Sequence, residues 1–158
     1  MKKHKSILKS IINECKKHAS RMNSAYEKIL PSLPIKPEKV FKLSDDETEH
    51  IDQFIFRFSK LQDSISQKLF RSVLMELGED VSNKPAIDIF NRLEQLEIIN
   101  DYDDWKELKN LRNDITHEYE EEKNEAAEKL NLLFEKKTHL EKYLNDILNY
   151  LTDKGFDI

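Results

Sequence analysis

Cysteine, glycine and long apolar runs are scarce in this sequence of 158 residues. The one cysteine, Cys15, excludes an internal disulfide and is typical of a protein from a reducing compartment. No stretch approaches the ~20 continuous apolar residues that a membrane span requires. The basic start, MKKHKSILKSII, lacks the apolar core of a signal peptide. We therefore expect a cytoplasmic protein that is not inserted in a membrane.

Glycine and proline number two and four, and three of the prolines lie between residues 31 and 37. The sequence has no glycine-rich phosphate loop and no GxSxG nucleophile elbow, which excludes the enzyme classes that depend on them. It is instead 36% charged and 38% apolar. This composition is typical of long amphipathic helices.

The net charge of −5 is unevenly distributed. Residues 1–39 contain ten Lys/Arg and three Glu, a net +7, whereas the remainder contains 16 Lys/Arg and 28 Asp/Glu, a net −12. The body as a whole would repel a polyanion, so any nucleic acid must be bound by local basic groups. A solvated helix face is the simpler interpretation of the basic segment.

Apolar residues at three- and four-residue steps predict a first helix over roughly residues 5–29, ended by PSLPIKP. Ser44 and Glu47 form a capping-box pattern that begins a second helix, which is expected to continue to Leu77 before Gly78. In this helix the stripe Phe54, Phe58, Leu61 and Ile65 predicts a core face. Phe56 and Phe70 lie off the stripe and suggest a second face for a partner.

Three further helices are expected: one from Pro85 to near Asn100, one capped by Asp103 or Asp104, and a last one ending before Gly155. No repeat or strand is evident, so the predicted fold is all-α, an up-and-down bundle of four to five helices. We expect a basic N-terminal helix and proline-containing linker at 1–43 and a helical bundle at 44–158.

The octapeptide RNDITHEY, residues 112–119, is the most informative motif. A helical wheel predicts a core face formed by Trp105, Leu108, Leu111 and Ile115. Tyr119 lies on that face and Arg112 at its edge. Asn113 and His117 point away from the core and are neighbours, four residues apart. By spacing alone, a plain surface histidine beside a plain surface arginine explains this pattern.

A metal site is less favoured by the sequence. Cys15 and His18 lie three residues apart on the first helix, but no second pair of ligands accompanies them. Nothing beyond His18 marks the Cys15 thiol as an activated nucleophile. We therefore expect no metal and no cofactor.

The stretch LRNDITHEY in an all-helical chain of this size resembles the signature of the HEPN domain family. That signature is an arginine, usually followed by a polar residue, and then a histidine at a spacing of four to six residues. Here these are Arg112, Asn113 and His117. The additional tyrosine, Tyr119, is similar to that of HepT-type toxins, which pair with a minimal nucleotidyltransferase antitoxin (MntA). The helical order around residues 44–152 agrees with the family, so the likeness covers most of the chain, and the basic helix of residues 1–30 with its proline linker looks like an addition.

The resemblance implies a metal-independent endoribonuclease, the toxin of a toxin–antitoxin pair, with a cleft between two protomers of a two-fold symmetric homodimer. Arg112 and His117 would be catalytic with Asn113 beside them, and an MntA-like partner would transfer AMP to Tyr119. These residue types suit RNA cleavage through the 2′-hydroxyl, because histidine can transfer protons near neutral pH and a guanidinium can bind phosphate bidentately. Glu120, Glu121 and Glu122 are unfavourable in an RNA cleft.

Two other functions are compatible with the sequence. In the first, the chain is a non-catalytic helical partner that presents a substrate to a minimal nucleotidyltransferase, and RNDITHEY is a docking surface. In the second, it is a helical dimer that binds no nucleotide. An RNase assay separates the nuclease from the first of these.

Overall fold

The computed structural model describes residues 2–116 and 122–158, with the backbone alone at residues 2–5 and 116. Helices account for most of these ranges and no strand occurs in them, as predicted for an all-α fold. The helices are α1 (Lys2–Ile29), α2 (Asp45–Ser64), α3 (Phe70–Glu76), α4 (Ala86–Gln95), α5 (Tyr102–Thr116), α6 (Lys123–Glu135) and α7 (Lys137–Asp153). No described helix is both long and apolar enough to cross a membrane.

Helices α1 and α2 pack against each other along much of their length. The apolar face of α1 is buried in the same hydrophobic core as the other helices, with Leu8, Ile12, Cys15 and Met22 at most 1% exposed. The Ser44 side chain accepts a hydrogen bond from the Glu47 N–H, and Glu47 accepts one from the Ser44 N–H, which confirms the predicted capping box. The division at residue 43 stays a prediction.

A π-helical turn, Ile65–Leu69, separates α2 from α3 and changes the face on which Phe70 lies. On a regular α-helix Phe70 would lie about 160° from Phe54 around the axis. The extra residue of a π turn reduces that angle to about 60°. Phe70 is accordingly buried, 5.3 Å from the Trp105 ring, so the expectation that it faces a partner is wrong. Phe56 remains 48% exposed.

An asparagine of α6 bonds the proline-containing linker to the bundle. The Asn131 side chain on α6 accepts a hydrogen bond from the Ile35 N–H (2.8 Å) and donates one to the Ile35 carbonyl (2.9 Å). Ile35 and Val40 are buried in the common core. Two 3-10 turns, Leu30–Ser32 and Pro37–Lys39, complete this segment.

Three predicted helix limits differ from the structure. Helix α4 ends at Gln95 rather than near Asn100, because Glu97 adopts a left-handed conformation (φ 59°) and the Ile98 N–H bonds back to Leu93. Asp101, not Asp103 or Asp104, caps α5 by accepting a hydrogen bond from the Asp104 N–H. Where the sequence predicted a single last helix, the structure has two, α6 and α7, which meet at Lys136.

Candidate functional site

Helix α5 carries the described part of the RNDITHEY motif. Its Trp105, Leu108, Leu111 and Ile115 are at most 6% exposed, as the wheel predicted for a core face. The Arg112 side chain lies at the border of that face and is 26% exposed. The packing of α5 therefore places the guanidinium where the core meets the surface.

Arg112 forms a bidentate ion pair with Asp63 on α2. Its Nη1 lies 2.9 Å from Asp63 Oδ1 and its Nη2 lies 3.1 Å from Oδ2. Arg112 Nε is buried and has no hydrogen-bond partner among the described residues. This pairing fixes the plane of the guanidinium, because two parallel N–H···O bonds allow little rotation. Among the described residues, this pairing leaves one N–H on each Nη nitrogen for a second oxyanion.

The structure describes Asn113 but not the last two predicted site residues of the motif. Asn113 is exposed, as predicted, and it has an interaction partner of its own. His117 and Tyr119 lie outside the described residues, so their assignments stay predictions. The structure therefore places Arg112 and Asn113 side by side, with Asp63 added by the fold.

Glu122, the last of the three consecutive glutamates, has a structural role. Its carboxylate caps α6 by accepting hydrogen bonds from the Asn124 and Glu125 N–H groups, each at 2.9 Å. These bonds hold its pKa below the usual range, because they stabilise the charged form. The negative charge is thus directed at a helix N-terminus.

A cleft of about 210 Å³ borders α5, although neither Arg112 nor Asp63 lines it. Lys109 on α5 and Ser66 on the π turn line it, and each is three residues from one member of the pair. The rings of Phe70, Phe90, Tyr102 and Trp105 also contribute to its lining. The cleft thus combines aromatic surface with the ammonium of Lys109 within one helical turn of Arg112.

The Cys15 thiol is not suited to bind metal or to attack a substrate. It is buried, and desolvation followed by the charge of Glu14 raises its pKa to about 12. Within the described ranges no three His, Cys, Asp or Glu side chains are grouped so that they could hold a metal ion.

His18 instead contacts an arginine that sequence reasoning overlooked. Arg57 on α2 places Nη1 2.9 Å from His18 Nδ1 on α1. Neither this pair nor Asp63 carries a sequence signal, because each contact joins helices whose mutual rotation is set by packing.

Comparison of the chain with protein-family models, with curated proteins and with solved structures gives no match.

Proposed function

We propose that this protein is a metal-independent endoribonuclease of the HEPN type, acting as the toxin of a toxin–antitoxin pair. The observation that supports this most directly is the orientation of Arg112 by Asp63 at the edge of the α5 core face. A catalytic guanidinium must be held in place and still have donors available. Arg112 meets both requirements, because Asp63 occupies one N–H on each Nη nitrogen and leaves the other.

In the proposed reaction the 2′-hydroxyl oxygen of RNA attacks the adjacent phosphorus, and the bond from phosphorus to the 5′-oxygen breaks. His117 removes the 2′-hydroxyl proton, and Arg112 stabilises the charge that develops on the phosphoryl oxygens. His117 of the second protomer protonates the leaving 5′-oxygen, since one histidine cannot serve as base and acid in one step. The products are a 2′,3′-cyclic phosphate and a 5′-hydroxyl.

A cleavage assay with EDTA and single variants tests this function. RNA cleavage should persist in EDTA, and Arg112→Ala and His117→Ala should each reduce it by roughly 10²–10⁴-fold, the usual contribution of a positioned catalytic group. Asp63→Asn should retain cleavage at a lower kcat, because the guanidinium loses its orientation but keeps its charge. The partly exposed Arg112–Asp63 pair should contribute under ~1 kcal/mol to stability, so the variants should stay folded.

Arg92→Ala is the matched control. Arg92 on α4 also pairs with a carboxylate, that of Glu79 at 2.6 Å, but it lies outside the motif. The Arg92→Ala variant should cut RNA at the wild-type rate. A wild-type protein that leaves RNA intact would instead support the non-catalytic partner of a nucleotidyltransferase. If His117→Ala cuts RNA at the wild-type rate, His117 does not take part in the reaction.

A further inference from the structure

A cluster of positive side chains lies between α1 and α2. Arg57 and Lys60 of α2 contribute to it, and α1 contributes Lys17, Arg21 and His18. Among the described residues, Glu14 is the acidic group that acts on His18, and both of its oxygens lie 3.1 Å from the Lys68 ammonium. Lys68 therefore offsets the nearest carboxylate and leaves the cluster positive.

Arg57 is unusual because its hydrogen-bond partner is neutral. A guanidinium can only donate, so His18 Nδ1 must accept and the imidazole is uncharged with its proton on Nε2. This Nε2 faces Glu14 Oε1 at 3.9 Å. Burial and then the charge of Arg57 lower the pKa of His18, which agrees with the neutral form.

No carboxylate of the described residues lies within salt-bridge distance of Arg57, and its buried Nε has no hydrogen-bond partner there. A half-buried guanidinium without a counter-charge is a costly arrangement that an added anion would relieve. His18 positions this guanidinium through one hydrogen bond, whereas Asp63 holds that of Arg112 through two, and His18 does not neutralise its partner. The geometry is therefore that of an anion site rather than of an internal ion pair.

An exposed aromatic ring lies beside this cluster. Phe56 is 48% exposed, and its ring centroid lies 5.2 Å from Arg57 Cζ and 5.6 Å from Lys60 Nζ. Proteins that bind single-stranded nucleic acid combine such rings, on which bases stack, with basic groups that contact the backbone. A membrane surface or an acidic peptide would not require an exposed flat ring beside two cations.

The cluster also lies on a path toward the motif. Phe56, Lys60 and Asp63 follow one another on α2 at spacings of four and three residues, so they share one face of that helix. Asp63 holds Arg112 at the end of this row. A strand of RNA that stacks on Phe56 can therefore extend along α2 toward Arg112.

We propose that Arg57, held by His18, forms with Phe56, Lys60 and Arg21 a binding site for single-stranded RNA, separate from the RNDITHEY motif. Arg57 binds a phosphate, Phe56 stacks on a base, and Lys60 and Arg21 attract the backbone. The site deepens and rests on the ribonuclease function proposed above, for which it would hold substrate to one side of the scissile phosphate.

The test is equilibrium binding of a fluorescent single-stranded oligonucleotide made of 2′-O-methyl RNA. This probe lacks the nucleophilic hydroxyl, so binding is measured without cleavage. Arg57→Gln should weaken binding and reduce the log–log salt dependence by about 0.7, the value for one lost phosphate contact on a single strand. Phe56→Ala should weaken binding at least about fivefold with the salt slope unchanged.

Arg92→Gln is the charge-matched control and should bind as wild type does, within about twofold of its Kd. Arg21→Gln and Lys60→Gln change exposed side chains, so their weaker binding would not reflect misfolding. If Arg57→Gln and Phe56→Ala both bind the probe with wild-type affinity and wild-type salt dependence, the proposed site is wrong. It is also wrong if the wild-type protein does not bind the probe. Loss of binding in Arg92→Gln equal to that in Arg57→Gln would also overturn it, because net charge alone would then explain the binding.

The cleavage assay distinguishes this site from the catalytic one. If RNA is cut through His117 while Arg57→Gln binds normally, the Arg57 site is wrong and the nuclease stands. If RNA binds through Arg57 and is never cut, the site stands and the nuclease is wrong.

Discussion

The arginines of this protein differ in what their guanidinium groups contact. Arg92 and Arg112 each pair with a carboxylate, and Arg71 donates to the backbone carbonyls of Val81 and Lys84. Arg57, by contrast, has one hydrogen-bond partner among the described residues, the neutral His18. A bidentate pair with a carboxylate fixes the plane of the guanidinium and reduces its net charge, whereas one hydrogen bond to a neutral imidazole positions the group and leaves its charge intact. Arg112 is therefore suited to orient a phosphate and Arg57 to attract one.

Tyr119 provides a prediction at the residue scale about regulation. Co-production with a cognate minimal nucleotidyltransferase and ATP should add one or more AMP units to Tyr119 and abolish RNA cleavage. Each AMP adds a phosphodiester charge and considerable bulk, and both oppose the entry of a polyanion into the cleft. Intact-mass analysis together with the cleavage assay measures both effects.

Tyr119→Phe should remain active and unmodified under the same conditions. Tyr150→Phe is the control, because Tyr150 lies on α7 outside the motif, and it should be modified and silenced as wild type is. A mass gain that persists in Tyr119→Phe would show that another residue is modified. The absence of any mass gain with an active nucleotidyltransferase would contradict the modification altogether.

At the scale of the element, the start of α2 depends on one glutamate. Glu47 accepts hydrogen bonds from the Ser44 N–H and the Ser32 hydroxyl, each at 3.2 Å, and its carboxylate lies 2.9 Å from the Lys39 ammonium. Lys39 contributes most to lowering its pKa, followed by the Ser44 N–H, and the pKa falls from 4.5 to about 2. Glu47 thereby joins the linker to the second helix.

This lowered pKa predicts how stability changes with pH. A group whose pKa is lower in the folded state stabilises the fold above its unfolded pKa, and this contribution is lost as pH falls through the folded value. Glu47→Gln should therefore lower the Tm at neutral pH, and the difference from wild type should shrink between pH 4.5 and about 2. Thermal unfolding followed by circular dichroism across that range measures it.

Glu49→Gln is the control on the same helix, at an exposed position two residues away. It should change the Tm little at any pH, since surface substitutions have small effects. A Tm difference for Glu47→Gln that is constant from neutral pH to about pH 2 would show that the carboxylate charge is not what stabilises the helix start.

At the scale of the whole molecule, we predict a homodimer in solution. The proposed reaction needs two histidines at one site, and a two-fold axis supplies the second from the same surface of another protomer. A stable interface of this kind should bury more than ~1,000 Å². Light scattering at tens of micromolar protein measures the mass, and a monomer there would exclude a site shared between protomers.

Much of the local structure follows from the sequence alone. The periodicity of apolar residues predicted the buried faces of α1, α2 and α5, and the Ser44–Glu47 pair marked the start of α2. On α5 the wheel placed Arg112 at the border of the core. These features depend on interactions within one or two helical turns, and a short stretch of residues specifies them. The HEPN resemblance and the roles of His117 and Tyr119 stay predictions.

Only the tertiary structure decided which side chains meet. The π turn rotated Phe70 into the core, where the sequence predicted a partner face. Asp63 and Arg112 are 49 residues apart, His18 and Arg57 are 39 apart, and Ile35 and Asn131 are 96 apart. Each contact joins separate elements, whose relative rotation and translation result from how whole faces pack. Helical period specifies the face on which a side chain lies, but the neighbour it finds there depends on the packing of the entire bundle.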